Sequence, residues 1–209
     1  MRIFILGGSG RTGKLLIAEA LRKGHSLHVL VRNISSLASF QGYTSGREAS
    51  LTIFEGSPSD KKNIEKAMDG CDAVLSTLNI SRTSDFPWSP LRTGDHFLSD
   101  TLVDVVDLCQ QKNIRRIIIT TAWGVNETRA VIPRWFRWII DHSNVGVAYR
   151  DHERQESILQ NTGLDWTTVR PVGLSNSKKE REILVSLNNE GRPGLMISRK
   201  NLARFMIRI

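Results

Sequence analysis

The stretch Met1-Arg2-Ile3-Phe4-Ile5-Leu6-Gly7-Gly8-Ser9-Gly10-Arg11-Thr12-Gly13, continued by Lys14 to Gly24, decides how this chain is read. Ile3 to Leu6 is an apolar run too short for a core helix. Turn residues follow it at once, so it reads as a buried strand of a parallel sheet. Lys14 to Lys23 then reads as a helix stopped by Gly24. Strand, glycine turn and helix in that order form the front half of a dinucleotide site. Gly7 permits the tight turn out of the strand, Gly10 lets backbone approach a pyrophosphate, and Gly13 lets the helix lie close to the sheet. The first N–H groups of the helix, unpaired within it, then face the phosphates. The pattern is G-x-x-G-x-x-G with an additional Gly8, a variant of the simplest G-x-G-x-x-G fingerprint.

Outward from this motif the chain alternates strands and helices. Ser26 to Val31 reads as a second strand, and Arg32 follows it, nineteen residues after Gly13. In dinucleotide folds this strand end lies by the adenosine ribose, where an acid would bond the 2′-hydroxyl of NAD. A guanidinium there pairs instead with a 2′-phosphate, and Arg11 in the glycine loop stands ready to clamp the same group, which favours NADP. Ile34 to Ser50 reads as a short helix followed by a loop. Leu51 to Phe54 reads as a third strand, ending in Gly56 and Ser57 where the adenine passes. Asp60 can cap a helix over Lys61 to Met68. Asp72 to Leu75 is a fourth strand that delivers Ser76, Thr77, Leu78 and Asn79 to the ribose and pyrophosphate. Ligands of open parallel sheets bind beyond the strands' carboxyl ends, where strand order reverses.

The segment Ile80 to Leu91, with Pro87 and Pro90, has no usable period and reads as a loop. Gly94 to Gln111 is the clearest helix, because Leu98, Leu102, Val105 and Cys109 recur on one face. Ile114 to Thr120 is a fifth strand leading to Thr121, Ala122, Trp123 and Gly124. From Arg129 to Ile140, arginines alternate with Trp135, Phe136 and Trp138, and Pro133 suits the first turn of a helix. That segment suits a lid or substrate wall, a dimer surface, a membrane-surface helix, or simple packing on the sheet. Asp151 to Gln160 reads as a helix and Asp165 to Arg170 as a sixth strand followed by Pro171, Val172 and Gly173. Ser175 to Glu182 reads as a mobile loop, Leu195 to Ser198 as a short strand, and Arg199 to Arg208 as a closing helix. The expected fold is a one-domain α/β doubly wound parallel sheet with helices on both faces.

Composition narrows the function classes. At 209 residues, 40% of them apolar, the chain is long enough for one sizeable core. Its apolar runs are too short to span a bilayer, and no secretory pattern opens it, so a cytoplasmic enzyme is expected. Cys71 and Cys109 are too few for a disulfide framework, and no Cys or His spacing suggests a metal site. The net charge of +8 comes from scattered basic residues, which reads as solvated surface rather than a nucleic-acid footprint. A monomer or weak dimer acting on a small-molecule acceptor is the expectation.

Together these residues resemble the atypical short-chain dehydrogenase/reductases of the NmrA-like, NAD(P)H-binding group, and within it the biliverdin and flavin reductases. The resemblance is carried by the glycine loop, Val29-Leu30-Val31-Arg32, Asp72-Ala73-Val74, Arg150-Asp151-His152-Glu153-Arg154 with Thr162-Gly163-Leu164, Val169-Arg170-Pro171, and Ile197 to Leu202 with Phe205-Met206. It implies a Rossmann fold with NADP held by Gly7, Ser9, Gly10, Arg11, Thr12, Gly13 and Arg32. Gly56 and Ser57 would lie by the adenine, Ser76 to Leu78 along the bridge, and Thr120, Thr121, Ala122, Pro171 and Val172 around the nicotinamide. Trp123 and His152 would face the substrate, and Thr121, His152 and Tyr149 are the catalytic candidates. Substrate-side elements are expected around 80–95, 123–150 and 173–195. The Tyr-x-x-x-Lys pair of ordinary short-chain dehydrogenases is missing, since Glu153 stands four residues after Tyr149. Without that lysine the phenol is a poor general acid. The expected activity is therefore hydride transfer from NADPH to a flat conjugated acceptor, flavin-, quinone- or tetrapyrrole-like. A non-catalytic NADP-binding redox sensor is the alternative. A nucleotide-sugar epimerase or dehydratase fits less well, because that chemistry recruits the absent pair.

Overall fold

Strand β1 (Arg2–Leu6) sends Ile3 and Ile5 to one face of a sheet and Phe4 and Leu6 to the other, all four nearly or wholly buried. A strand apolar on both sides must be covered on both sides. In the computed structural model, which describes residues 1–43, 50–177, 179, 182–187 and 194–209, helices do cover both. The loop expected before Ser50, and parts of the segments 175–182 and 173–195, fall outside the described residues.

Six parallel strands form the sheet in the order β3-β2-β1-β4-β5-β6, where β2 is Ser26–Val31, β3 Leu51–Glu55, β4 Ala73–Ser76, β5 Arg116–Thr120 and β6 Asp165–Val169. This is the doubly wound order of the Rossmann fold. The chain steps outward from β1 to β3, then returns across β1 to β4, so the reversal falls between β1 and β4. Helices α1 (Arg11–Arg22) and α6 (Arg199–Arg208) pack on the Ile3 and Ile5 face through Leu16, Ile17, Leu202 and Met206. Helices α2 (Lys61–Met68), α3 (Phe97–Gln111) and α5 (Val145–Gln160) pack on the other through Ile64, Met68, Leu102, Val105 and Leu159. The expected α3 stripe of Leu98, Leu102, Val105 and Cys109 is buried throughout, and Asp60 caps α2 by accepting from the Lys62 N–H.

Several boundaries differ from expectation, α1 starting at Arg11 rather than Lys14 and β5 at Arg116 rather than Ile114, and two of the differences have a tertiary cause. Helix α5 begins at Val145, six residues before Asp151. Gly146 reads locally as a breaker, but a Cβ there would lie 2.3 Å from the Ile140 carbonyl oxygen, so glycine lets α5 pass close beneath α4 (Arg134–His142). Helix α3 begins at Phe97 rather than Gly94. Its buried N–H groups at Leu98 and Ser99, unpaired within the helix, are taken at 2.7 and 3.3 Å by the Asp151 carboxylate, which arrives from α5 fully buried. Pro133, expected in the first turn of α4, is its N-cap. Beyond β6, strands β7 (Gly173–Ser175) and β8 (Met196–Ser198) pair in parallel as a small second sheet leading into α6.

Candidate functional site

The glycine loop is built by backbone contacts. Gly7 has φ +78°, and a Cβ on it would lie 2.8 Å from the Thr77 carbonyl carbon and the Leu78 nitrogen, so the loop lies directly against the end of β4. A Cβ on Gly13 would stand 2.1 Å from the Gly7 carbonyl oxygen and 2.7 Å from the Gly8 Cα. Gly13 therefore serves the fit of α1 against its own loop, a finer role than the expected fit of helix on sheet. The Gly10 N–H donates to the Gly7 carbonyl at 3.0 Å, and Gly10 caps α1 with no side-chain hydrogen bond. The first turn of α1 is thus left without a side-chain acceptor, the arrangement that binds phosphate.

This helix start opens into a cleft of about 390 Å³, within the range of small-molecule sites. Gly7, Ser9, Gly10, Arg11 and Thr12 form one wall, Thr77 to Arg82 with Ser84 and Asp85 another. Thr120, Thr121, His152 and Pro171 close the far end, and Leu174, Arg199 and Leu202 complete the lining. Three guanidinium-bearing residues, Arg11, Arg82 and Arg199, therefore meet one carboxylate, Asp85. Arg11 donates to both Asp85 oxygens at 2.8 and 2.7 Å, which holds the carboxyl below its usual range. Arg199 donates to Asn176 at 2.7 Å, and burial followed by repulsion from Arg11 lowers its pKa. The buried Nε of Arg82 has no hydrogen-bond partner. A buried donor without an acceptor beside an uncapped helix start, in a cleft carrying surplus positive charge, fits an anionic ligand such as a dinucleotide.

The far end is braced from below. Glu156, 1% exposed, accepts from the Thr121 hydroxyl at 2.8 Å, from Arg170 Nε at 2.8 Å and Nη2 at 2.5 Å, and from Asn126 Nδ2 at 2.6 Å. Arg170 reaches on to Glu127, and the two carboxylates raise its pKa above the ordinary arginine value. His152 is buried, its Nδ1 lies 3.0 Å from Gln155 Oε1, and Gln155 spends its own N–H₂ on the Leu98 carbonyl. This network assigns the proton to Nδ1. Desolvation lowers the imidazole pKa, so the ring is neutral near pH 7.

That burial has a consequence for stability. A histidine whose folded pKa is depressed stabilises the fold fully above its unfolded pKa of about 6.5 and does so progressively less as pH falls toward the folded value. Stability measured by urea titration is expected to drop between pH 7.5 and 5, by at most about 1.4 kcal/mol per pH unit from this one proton. His152→Gln should flatten part of that slope. An unchanged slope would place the proton uptake elsewhere.

The sequence over residues 7–209 matches the profile of the NAD(P)H-binding family. The chain belongs to that family. Among relatives of this NAD(P)H-binding chain, a Bacillus subtilis protein named uncharacterized sugar epimerase YhfK is 27% identical over 181 residues, covering 84% of this chain and 73% of the relative. Isoflavone reductase homolog P3 of Arabidopsis thaliana is 31% identical over 86 residues, which are 40% of this chain and only 28% of that protein. Of solved structures, ChuY, an anaerobilin reductase from Escherichia coli O157:H7, superposes with a TM-score of 0.75 at 18% identity, covering all of this chain and 89% of ChuY. A short-chain dehydrogenase/reductase from Veillonella parvula in complex with NADP gives 0.75 and 18%, covering all of this chain and 86% of its own. The NAD(P)H-binding chain thus has the fold of these oxidoreductases, and no helix among its described residues is long and apolar enough to cross a membrane.

Of the residues expected at the site, the cleft brings together Gly7, Ser9, Gly10, Arg11, Thr12, Thr77, Leu78, Asn79, Thr120, Thr121, His152 and Pro171. It does not bring in Arg32, exposed at the end of β2, nor Gly56, whose Cα faces the Asn63 side chain, nor Ser57, whose hydroxyl accepts from Ser59 in a turn. Gly13 and Ser76 lie behind the wall, Ser76 accepting from the Leu78 N–H. Ala122, Trp123 and Val172 are off the lining too. The Trp123 N–H donates to the Pro171 carbonyl, and its own carbonyl accepts from the Tyr149 hydroxyl at 3.2 Å. Of the three substrate-side segments, Ile80, Ser81, Arg82, Ser84, Asp85 and Leu174 reach the cleft, whereas none of 123–150 does. Arg82, Asp85, Arg199 and Leu202 were missed as individual site residues. The signal available in sequence was the family motif around Arg199, but only the fold brings that motif opposite the glycine loop.

Proposed function

We propose that this chain is an NADPH-dependent reductase that passes hydride from the nicotinamide to a flat, conjugated acceptor of flavin, quinone or tetrapyrrole type. The observation that carries the reading is where the three candidate catalytic groups send their protons. The Thr121 hydroxyl donates to Glu156, the His152 Nδ1–H to Gln155, and the Tyr149 hydroxyl to the Trp123 carbonyl, with burial pushing that phenol up to about 12. Each is committed inside the protein. Reduction of an isolated carbonyl needs a positioned acid at the oxygen. A conjugated acceptor spreads the incoming charge and takes its proton from water, so the protein's task is orientation. In this reading Gly10 and the start of α1 hold the pyrophosphate, Arg82 and Arg199 hold further anionic groups, and Thr120, Thr121 and Pro171 form the wall beside the reacting rings. His152 and Tyr149 position that wall and donate no proton.

Arg32 is proposed to select the 2′-phosphate together with Arg11. Arg11 would give up Asp85 to do so, at small cost, since both partners are more than half exposed and such pairs are worth about 0–1 kcal/mol. Arg32→Glu should weaken NADPH by about tenfold or more while leaving NADH little changed, measured by calorimetry. Equal losses for both nucleotides would remove Arg32 from the site. The whole reading is tested by mixing purified protein and NADPH with flavins and quinones and following loss of nicotinamide absorbance. Tight NADP binding with no acceptor-dependent oxidation would mark a redox sensor instead.

A further inference from the structure

Helix α4 has more apolar surface than the fold uses. Its inner apolar side chains are packed: Ile140 is 2% exposed, and Phe136 meets Tyr149 edge to face with ring centroids 6.2 Å apart. Trp135 and Trp138, a turn apart on the outer side, are 60% and 54% exposed. Trp138 stacks on His142 at 4.9 Å and meets Trp88 at 6.2 Å, and Trp88 meets Phe86 at 5.3 Å. The four rings thus join the outside of α4 to the segment whose Ser84 and Asp85 line the cleft. Exposed aromatic patches of this kind mark an interaction surface. The lid expectation does not explain it, because α4 contributes nothing to the cleft lining, and packing on the fold explains only Phe136 and Ile140.

We propose that this face, Phe86, Trp88, Trp135 and Trp138 with Arg134, docks the protein on an anionic lipid bilayer. Charge selects the occupant. Asp141 on α4 is paired with Arg129, whereas Arg134, four residues before Trp138, is exposed. The whole chain carries +8, so a second copy is repelled and an anionic surface is attracted. An amphipathic helix with arginine beside outward tryptophans is the composition that rests in the headgroup region. Trp88 gives its indole N–H to the His142 carbonyl at 2.7 Å, so its ring enters that region with no unmet donor. Docking this way sets the lip of the cleft against the membrane surface. The inference stands apart from hydride transfer and holds whether or not the chain turns over.

The test uses the full chain with phosphatidylglycerol vesicles carrying brominated acyl chains, and phosphatidylcholine vesicles as the neutral arm. The protein is expected to sediment with the anionic vesicles and to lose tryptophan fluorescence to the bromines, and to do neither with the neutral ones. Trp135→Ser/Trp138→Ser, a change at exposed positions, should weaken partition at least about tenfold with an unchanged circular dichroism spectrum. Arg134→Glu should weaken it in the same direction while leaving every ring in place. Three results each overturn the proposal: no bromine quenching of the unmodified protein, a double variant that partitions as tightly, or a tryptophan-dependent dimer in sedimentation equilibrium without vesicle binding.

Discussion

Gly13→Ala is expected to abolish dinucleotide binding, raising the calorimetric Kd for NADP by about a hundredfold or more, and to destabilise the fold by roughly 2–4 kcal/mol. The added carbon would sit 2.1 Å from the Gly7 carbonyl oxygen and 2.7 Å from the Gly8 Cα, and both are backbone atoms with no rotamer to escape into. Relief requires α1 to move away from its own loop. Gly7 cannot yield in turn, because it already lies against Thr77 and Leu78 at the end of β4. The start of α1 would then no longer be aimed into the cleft. Gly24→Ala is the control: φ is +83° there but nothing lies within 4 Å, so only local strain of about 1 kcal/mol is expected and binding should be retained. A Gly13→Ala protein that binds NADP as tightly as the parent would show that the loop does not hold the pyrophosphate.

Glu156→Ala should cost about 3 kcal/mol in urea denaturation, near the low end of what breaking a buried ion pair costs. The carboxylate receives four hydrogen bonds while 1% exposed, and removing it strands the Thr121 hydroxyl, the Asn126 amide and one side of Arg170. The Arg170 side chain, 19% exposed, would keep only Glu127, itself largely in water, which moderates the loss. Glu156→Gln keeps the shape and the acceptor oxygen but drops the charge, and should cost clearly less. Because Thr121 and Pro171 form the far wall of the cleft, Glu156→Ala should also slow any NADPH oxidation by more than its effect on NADP affinity. A variant with the parent's urea midpoint would mean that the network bears no weight.

The two variants probe opposite ends of one cleft, and they show how differently those ends are encoded. The glycine loop is a local device. Its tight turn, its helix start and the strand before it lie within two dozen consecutive residues, so spacing alone exposes it. The buried α3 stripe and the Asp60 cap are local in the same sense, and both stand in the structure where the residues placed them. The Glu156 network is not local: Thr121, Asn126, Glu127, Glu156 and Arg170 come from two strand ends, a short 3-10 helix and an α-helix. None of them stands out by composition or spacing.

By itself the amino-acid sequence determined the class of fold, the edge of the sheet at which the glycine loop and its cleft lie, the family, and the class of cofactor, because those depend on periodicity, on which residues allow a tight turn, and on the order of elements along the chain. Tertiary structure alone decided that Arg11 faces Asp85, that Arg82 and Arg199 converge on the same cleft, that Asp151 caps a distant helix, and that Trp135 and Trp138 point to solvent. Those facts depend on which surfaces the sheet and its helices bring within a few ångströms of one another. Charge pairing and desolvation act over that range in space and carry no signature of separation along the chain.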